Sequence, residues 1–294
     1  MAKKSKDPRL SPSCGFFFTI SPLFFSIYQM YPVLLKIPIF GELTIHTYGA
    51  LVAFAFLMGI FYITREARRV GEDPAKALDL VFWIIVAAII GSRVYYVLVV
   101  EPAELLSDPL SFFKIWRGGL VFQGGVLGAF IVGVFWIRRS KLPFWKYADI
   151  FAPAIPLGHF FGRLGCFMSG CCHGRMAPFG SWYSVVFPAN PSSSALTGVP
   201  LYPTQLMEAF GELLIFFGLF LFRKRKKFDG QLIAIYLMAY APLRSTVEYF
   251  RDSTNRNLIF DSFSVAQLVA GIMFAAGVWM WIRNSRKHRA GEGL

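Results

Sequence analysis

Seven apolar runs of near-membrane length, several of them closed by basic clusters, set the pattern of this chain. They are Tyr48–Thr64, Leu78–Val99, Leu120–Ile137, Tyr147–Phe161, Thr204–Phe222, Gln231–Val247 and Ser264–Ile282. About 20 apolar residues in a helix cross a hydrocarbon core roughly 30 Å thick. The pattern predicts an all-α integral membrane protein with about seven transmembrane helices. Arg65, Arg68, Arg69 and Lys76 follow the first run, and Arg138, Arg139, Lys141 and Lys146 follow the third. Arg223 to Lys227 follow the fifth, and Arg283, Arg286, Lys287 and Arg289 follow the seventh. The alternate loops hold only Lys114, Arg117, Arg175, Arg251 and Arg256. Basic residues mark cytoplasmic loops, so the core N-terminus is predicted outside and the C-terminus in the cytoplasm.

This division gives residues 30–283 as one seven-span domain, with 174–203 as a small polar cap on the outer side. Residues 284–294 read as a basic cytoplasmic tail. Residues 1–29 carry Lys3, Lys4, Lys6 and Arg9 ahead of an apolar stretch broken by Pro22. They have the outline of a signal peptide without a small-residue cleavage site, and the core is predicted to begin at Met30.

Composition fits a polytopic membrane protein, with 55% hydrophobic and 17% aromatic residues. The net charge of +13 would suit nucleic acid, but the charge sits in short clusters after apolar runs. With no zinc-finger spacing, RNA-binding signature or basic helix face, nucleic acid is excluded as a partner. Four cysteines are too few for a disulfide scaffold.

Polar residues within the spans gather at one level. His46 and Tyr48 open the first span, Arg93 lies near the end of the second, and Gln123 opens the third. His159 and Arg163 end the fourth, Gln205 and Glu208 open the fifth, and Arg244 and Glu248 end the sixth, with Arg251 just beyond. On the predicted topology all of them face the outer leaflet. An unpartnered charge in lipid costs roughly 2.5–3.5 kcal/mol on insertion scales, so such a belt implies a site. Each residue also has a plainer reading. Arg244 and Glu248, spaced i,i+4, can neutralise each other; Arg93 can anchor at the interface; Tyr48 can belong to an aromatic belt; Glu208 can complement a helix dipole. Glu212, one turn deeper, is expected to pair with a neighbouring arginine.

The stretch GHFFGRLGCFMSGCCHGR (158–175) is the centre of this belt. Its glycines admit a close-lying backbone or ligand, and an arginine fixed among them suits a phosphate. Cys166, Cys171, Cys172 and His173 give C-x4-C-C-H, which matches no common structural zinc pattern. A disulfide from Cys166 to Cys171 or Cys172 is open in an oxidising compartment. Small packing residues lining a glycine-rich turn is the favoured reading, and no metal site is expected.

Six stretches, in order, resemble the motifs of the prolipoprotein diacylglyceryl transferase family. They are HTYG (46–49), GSRVYYV (91–97), WRGGLVFQGG (116–125), GRLGCFMSGCCHGR (162–175), YPTQLMEAF (202–210) and RSTVEYFRD (244–252). Three positions depart from the family pattern: Cys166 stands for asparagine, Cys171 for glutamate and Gln123 for histidine. The resemblance implies a multi-pass enzyme of the bacterial inner membrane. Such an enzyme moves the diacylglyceryl group of phosphatidylglycerol onto the lipobox cysteine of a prolipoprotein signal peptide, and glycerol-1-phosphate leaves. It implies catalytic roles for Arg163, Arg244, Tyr48 and Glu248. It implies substrate contacts for Arg93, Gln123, Gly124, His159, Gly162, Gly165, Gly174, Gln205, Glu208 and Arg251. No cofactor or metal is implied, a monomer is expected, and the chain's own cysteines need not react. A paralogue with another acceptor, a transporter and a thiol redox protein are the competing readings. The transporter is disfavoured because the polar belt lies at one leaflet rather than the midplane. The redox protein is disfavoured because no Cys-x-x-Cys is present.

Overall fold

The computed structural model describes residues 32–37, 43–103, 108, 112–113, 118–188, 197–251, 258–259 and 263–291. The predicted extension 1–29 lies outside them, as do Lys114, Trp116 and Arg117, cap residues 189–196, and Asp252 and Arg256. Among the described residues the fold is carried by α1 Thr47–Arg69, α2 Pro74–Tyr95, α3 Phe122–Arg139, α4 Phe144–Phe151, α5 Ala154–Met168, α6 Thr204–Phe222, α7 Gln231–Phe250 and α8 Val265–Arg289. A π-helical turn, Tyr96–Val100, extends α2. Three short antiparallel pairs, which the all-helical reading did not include, link the helices. They are β1 (Val33–Ile37) with β2 (Leu43–His46), β3 (Val185–Val186) with β4 (Pro200–Leu201), and β5 (Leu258–Ile259) with β6 (Phe263–Ser264).

Five stretches, Thr47–Arg69, Pro74–Val100, Phe144–Met168, Thr204–Phe222 and Val265–Arg289, are long and apolar enough to cross a membrane. The chain is a multi-pass membrane protein. Exposed Phe61, Phe82, Phe130 and Leu221 suit contact with acyl chains. The fourth predicted span is two helices rather than one. Pro153 starts α5 directly after α4, because a proline inside a helix removes a hydrogen bond and crowds the preceding turn. The helices also outrun their apolar stretches. Arg65 to Arg69 are helical, and the expected tail is helical through Arg289, with Asn284 fully buried and donating to the Asp229 carbonyl at 3.2 Å.

Local chemistry marks the helix ends. Asp73 caps α2 by accepting from the Ala75 N–H at 2.9 Å, with Pro74 in the first helical position. Ser264 and Gln267 form a capping box at α8. Helix α2 packs on α3, α1 on α5, α5 on α6, α6 on α7, and α7 on α8.

The main apolar cluster, Tyr62, Ile63, Ala67, Leu80, Tyr147 and Ile150 among its members, joins the basic ends of α1, α2 and α3 to α4. Buried Glu66 lies there, paired with Arg69 and with Arg223 at 3.1 Å. Nearby, Asp149 meets Lys226 Nζ at 3.0 Å and accepts from the Gly230, Leu232 and Ile233 N–H groups, so it caps α7 from another helix. The described residues of 174–203 pack on a second cluster, Phe167, Val185, Phe187 and Leu201. The opposite ends of α5, α6 and α7 hold the polar residues.

Candidate active site

Three helices deliver the charged centre. Helix α5 presents His159 and Arg163 one turn apart, α6 presents Glu208 and Glu212 one turn apart, and α7 presents Arg244 and Glu248 one turn apart. This i,i+4 spacing stacks each pair on one helix face. Arg163 Nη2 donates to Glu208 Oε1 at 2.8 Å. His159 Nδ1 lies 2.6 Å from Glu212 Oε1. Arg244 Nη1 lies 2.7 Å from Glu248 Oε2. The expected arginine partner of Glu212 is therefore a histidine. The carboxylates are buried, and the guanidiniums of Arg163 and Arg244 retain only slight exposure.

Pairing of this kind keeps two cations inside an apolar bundle at low cost. It does not use every donor, because Arg163 Nε is buried without a hydrogen-bond partner among the described residues. Tyr240 stands among the charges of Glu208, Arg244, Glu212 and Arg163, which places both arginines around one tyrosine. Its ring lies 5.7 Å from that of His159 and stacks on Tyr236 at 5.7 Å.

The loop after α5 joins this centre to the cap. Gln205 Nε2 donates to the Cys171 carbonyl at 2.7 Å, and Thr204 Oγ1 to the Cys172 carbonyl at 2.9 Å. Gly174 bridges to Arg251, with its N–H on the Tyr202 carbonyl at 2.8 Å. A Cβ at 174 would press on the Phe250 carbonyl and Tyr202, so the close approach of three segments requires glycine there. At Gly165 a Cβ would come within 2.9 Å of the Tyr48 ring, which brings the N-terminus of α1 against the end of α5. Tyr48, 45% exposed, lies within electrostatic range of Arg163 and the three cysteines. Gly162 borders open space, with no heavy atom within 4 Å of where a Cβ would stand. Hydrogen bonds from Cys166 and Cys171, with Arg163 and Arg251 adding to the pull, hold the Cys172 thiol below the ordinary thiol range.

The remaining candidates form a second group on α2 and α3. Arg93 is buried and donates to the Phe112, Gly118 and Gly119 carbonyls at 3.1, 2.9 and 3.3 Å, so it holds the loop that leads to α3. Gly124 packs against Gly91 and Tyr95 of α2, a close helix crossing. Gln123, beside it, is exposed.

A family model described as prolipoprotein diacylglyceryl transferase matches residues 32–283. Similar proteins named phosphatidylglycerol–prolipoprotein diacylglyceryl transferase include one from Bordetella avium, 35% identical over 266 residues, covering 88% of this chain and 96% of that protein. One from Geobacter sulfurreducens is 34% identical over 256 residues, covering 84% and 94%. One from Bordetella bronchiseptica is 32% identical over 264 residues, covering 88% and 97%. The chain belongs to the prolipoprotein diacylglyceryl transferase family.

In this family member, Tyr240 escaped the sequence reading. The signal was present, because Tyr240 precedes Arg244 by four residues and so shares its helix face. Arg175 entered as a loop charge and as the last residue of the 162–175 motif without a role of its own, and its guanidinium lies over the Tyr202 and Tyr249 rings at 5.8 and 5.0 Å. The grouping of three cysteines had no signal in spacing alone.

Proposed function

We propose that this chain transfers the diacylglyceryl group of phosphatidylglycerol to the lipobox cysteine of a bacterial prolipoprotein signal peptide. A thioether forms and glycerol-1-phosphate departs. The protein acts as a seven-span enzyme of the inner membrane, with core N-terminus and cap outside and C-terminus in the cytoplasm. In this arrangement α3 and α7 also span, and the belt of α5, α6 and α7 lies at the outer leaflet.

The observation that carries this reading is the Arg163 guanidinium, largely buried at the α5–α6 contact, paired with Glu208 and with an Nε that has no hydrogen-bond partner among the described residues. Displacement at a glycerol carbon builds charge on the departing phosphate. Fixed donors aimed at that charge are worth about 10²–10³-fold each in rate. Arg163 and Arg244 supply them, while Glu208 and Glu248 hold their orientation. Tyr48 contacts the lipid headgroup, the open space beside Gly162 admits the lipid, and Gln205, Arg251 and Gly174 shape the loop above it. Gln123 has no basic nitrogen, whereas His159, held through Nδ1 by Glu212, keeps its Nε2 as the candidate base for the acceptor thiol.

The test is incubation of the purified protein in vesicles of phosphatidylglycerol or phosphatidylethanolamine with a lipobox peptide. The expected result is a thioether-linked diacylglyceryl mass on the peptide in phosphatidylglycerol vesicles, and none when serine replaces the lipobox cysteine. A folded protein that yields no adduct from phosphatidylglycerol contradicts the reading.

A further inference from the structure

Cys166 lies in the last turn of α5, and Cys171 and Cys172 in the loop beyond it, yet their Sγ atoms all lie within 4.8 Å of one another. All three are free thiols. In a tetrahedral zinc site with bonds of about 2.3 Å, two thiolate sulfurs stand roughly 3.8 Å apart. The trio is therefore within about an ångström of a ligand set. C-x4-C-C is not a finger or ribbon spacing. The fold creates the convergence instead, by turning the chain back on the end of α5.

The loop is held in that shape by its neighbours. Cys172 has φ 59°, a left-handed conformation that residues with a Cβ seldom adopt. The first turn of α6 anchors the carbonyls of Cys171 and Cys172 through Gln205 and Thr204. The Cys171 N–H returns to the Cys166 carbonyl at 3.1 Å. The Cys171 thiol also donates to the Cys166 carbonyl at 3.6 Å, a weak contact that a metal would displace, and the three sulfurs otherwise lie grouped together. Arg163 and Arg251 lie within electrostatic range and offset the net negative charge that three thiolates place on a dication.

We propose that Cys166, Cys171 and Cys172 bind one zinc ion whose fourth position is open to the acceptor peptide's thiol. Three protein ligands with an open fourth position characterise reactive zinc sites, whereas structural sites are closed by four. The metal site stands on the cysteine geometry, while the identity of the fourth ligand rests on the transferase reading. On binding, the acceptor S–H bond breaks, its proton passes to water, and a sulfur–zinc bond forms, since a coordinating thiol is deprotonated. The sulfur lone pair then forms the C–S bond at the glycerol carbon. The C–O bond breaks, and its electron pair leaves on the phosphate. This supplies the thiolate at the metal itself, a step for which Gln123 has no basic nitrogen. Exposed Cys172 marks the side from which the thiol enters.

The test uses the full chain in detergent, loaded with Co²⁺ as a spectroscopic substitute for zinc. One Co²⁺ per chain is expected, with sulfur-to-cobalt charge-transfer absorption in the near ultraviolet. Going from three thiolates to four, that absorption should rise by about a third with a lipobox peptide, and not with the peptide whose cysteine is replaced by serine. Cys166→Ser and Cys172→Ser should each weaken cobalt binding at least ~10-fold, given the need for a full ligand set. Absence of the charge-transfer band in the folded wild-type protein overturns the site, as does an intact mass two hydrogens lower that marks a disulfide. Identical spectra with the cysteine and serine peptides overturn the open position. These readouts are independent of turnover. Lipid transfer without cobalt binding overturns the zinc site and leaves the transferase reading standing. Cobalt binding with the peptide response, but without transfer, does the reverse.

Discussion

Arg163 Nη2 stands 2.8 Å from Glu208 Oε1, so the charge at the centre of the belt is clamped across the α5–α6 contact. Both side chains are largely buried, and removing one partner leaves the other charged and unpaired. Glu208→Gln should therefore destabilise the folded protein by about 3 kcal/mol. Thermal unfolding in detergent checks this. The double variant Glu208→Gln with Arg163→Gln should recover part of the loss, because no uncompensated charge remains.

Glu212 depends on His159 in the same way, since Glu212 Oε2 has no hydrogen-bond partner among the described residues. His159→Phe strands a buried carboxylate and should cost about 2 kcal/mol, while His159→Gln keeps a donor and should cost less. Comparing their unfolding midpoints separates the hydrogen bond from the ring's packing.

The crossing of α2 and α3 gives a prediction away from the charges. A Cβ at position 124 would meet the Gly91 carbonyl and Tyr95 Cβ, neither of which is a flexible tip. Gly124→Val should cost about 3 kcal/mol by overpacking and lower the yield of folded protein. Gly162→Ala, where the space is open, should leave the unfolding free energy within about 0.5 kcal/mol of wild type.

At the basic end, Asp149 combines an ion pair with Lys226 and three N–H bonds at the start of α7. Asp149→Asn keeps the size of the group but loses the charge, and should destabilise by about 3 kcal/mol. Transfer per folded molecule should be unchanged, because this group lies at the end of the bundle opposite the proposed site. A transfer assay normalised to monodisperse protein checks that separation.

Much of the architecture was legible because the membrane imposes it. The apolar runs fell on helices, one of them on the pair α4 and α5, and the motif stretches contain Arg163, Glu208, Arg244 and Glu248. Four things were not legible, each for a physical reason. The break between α4 and α5 depends on how Pro153 is accommodated, which hydropathy does not register. The pairing of Glu212 with His159, 53 residues apart, is a choice among several cations that only packing makes. Basic residues counted for orientation also hide structural roles, since Arg223 pairs with Glu66 and Lys226 with Asp149. The cysteines show the same limit, because a left-handed residue at 172 brings together sulfurs that spacing alone left as packing residues.

The most direct test of the account compares wild type, Arg163→Lys and Arg163→Ala in one assay. It follows glycerol-1-phosphate release from phosphatidylglycerol together with thioether formation on a lipobox peptide. Lysine keeps the charge but loses the planar fork. The account predicts a fall of about 10²-fold for Arg163→Lys and about 10³-fold or more for Arg163→Ala, with both variants folded. Wild-type rates in folded Arg163→Ala would contradict the claim that this guanidinium stabilises the departing phosphate.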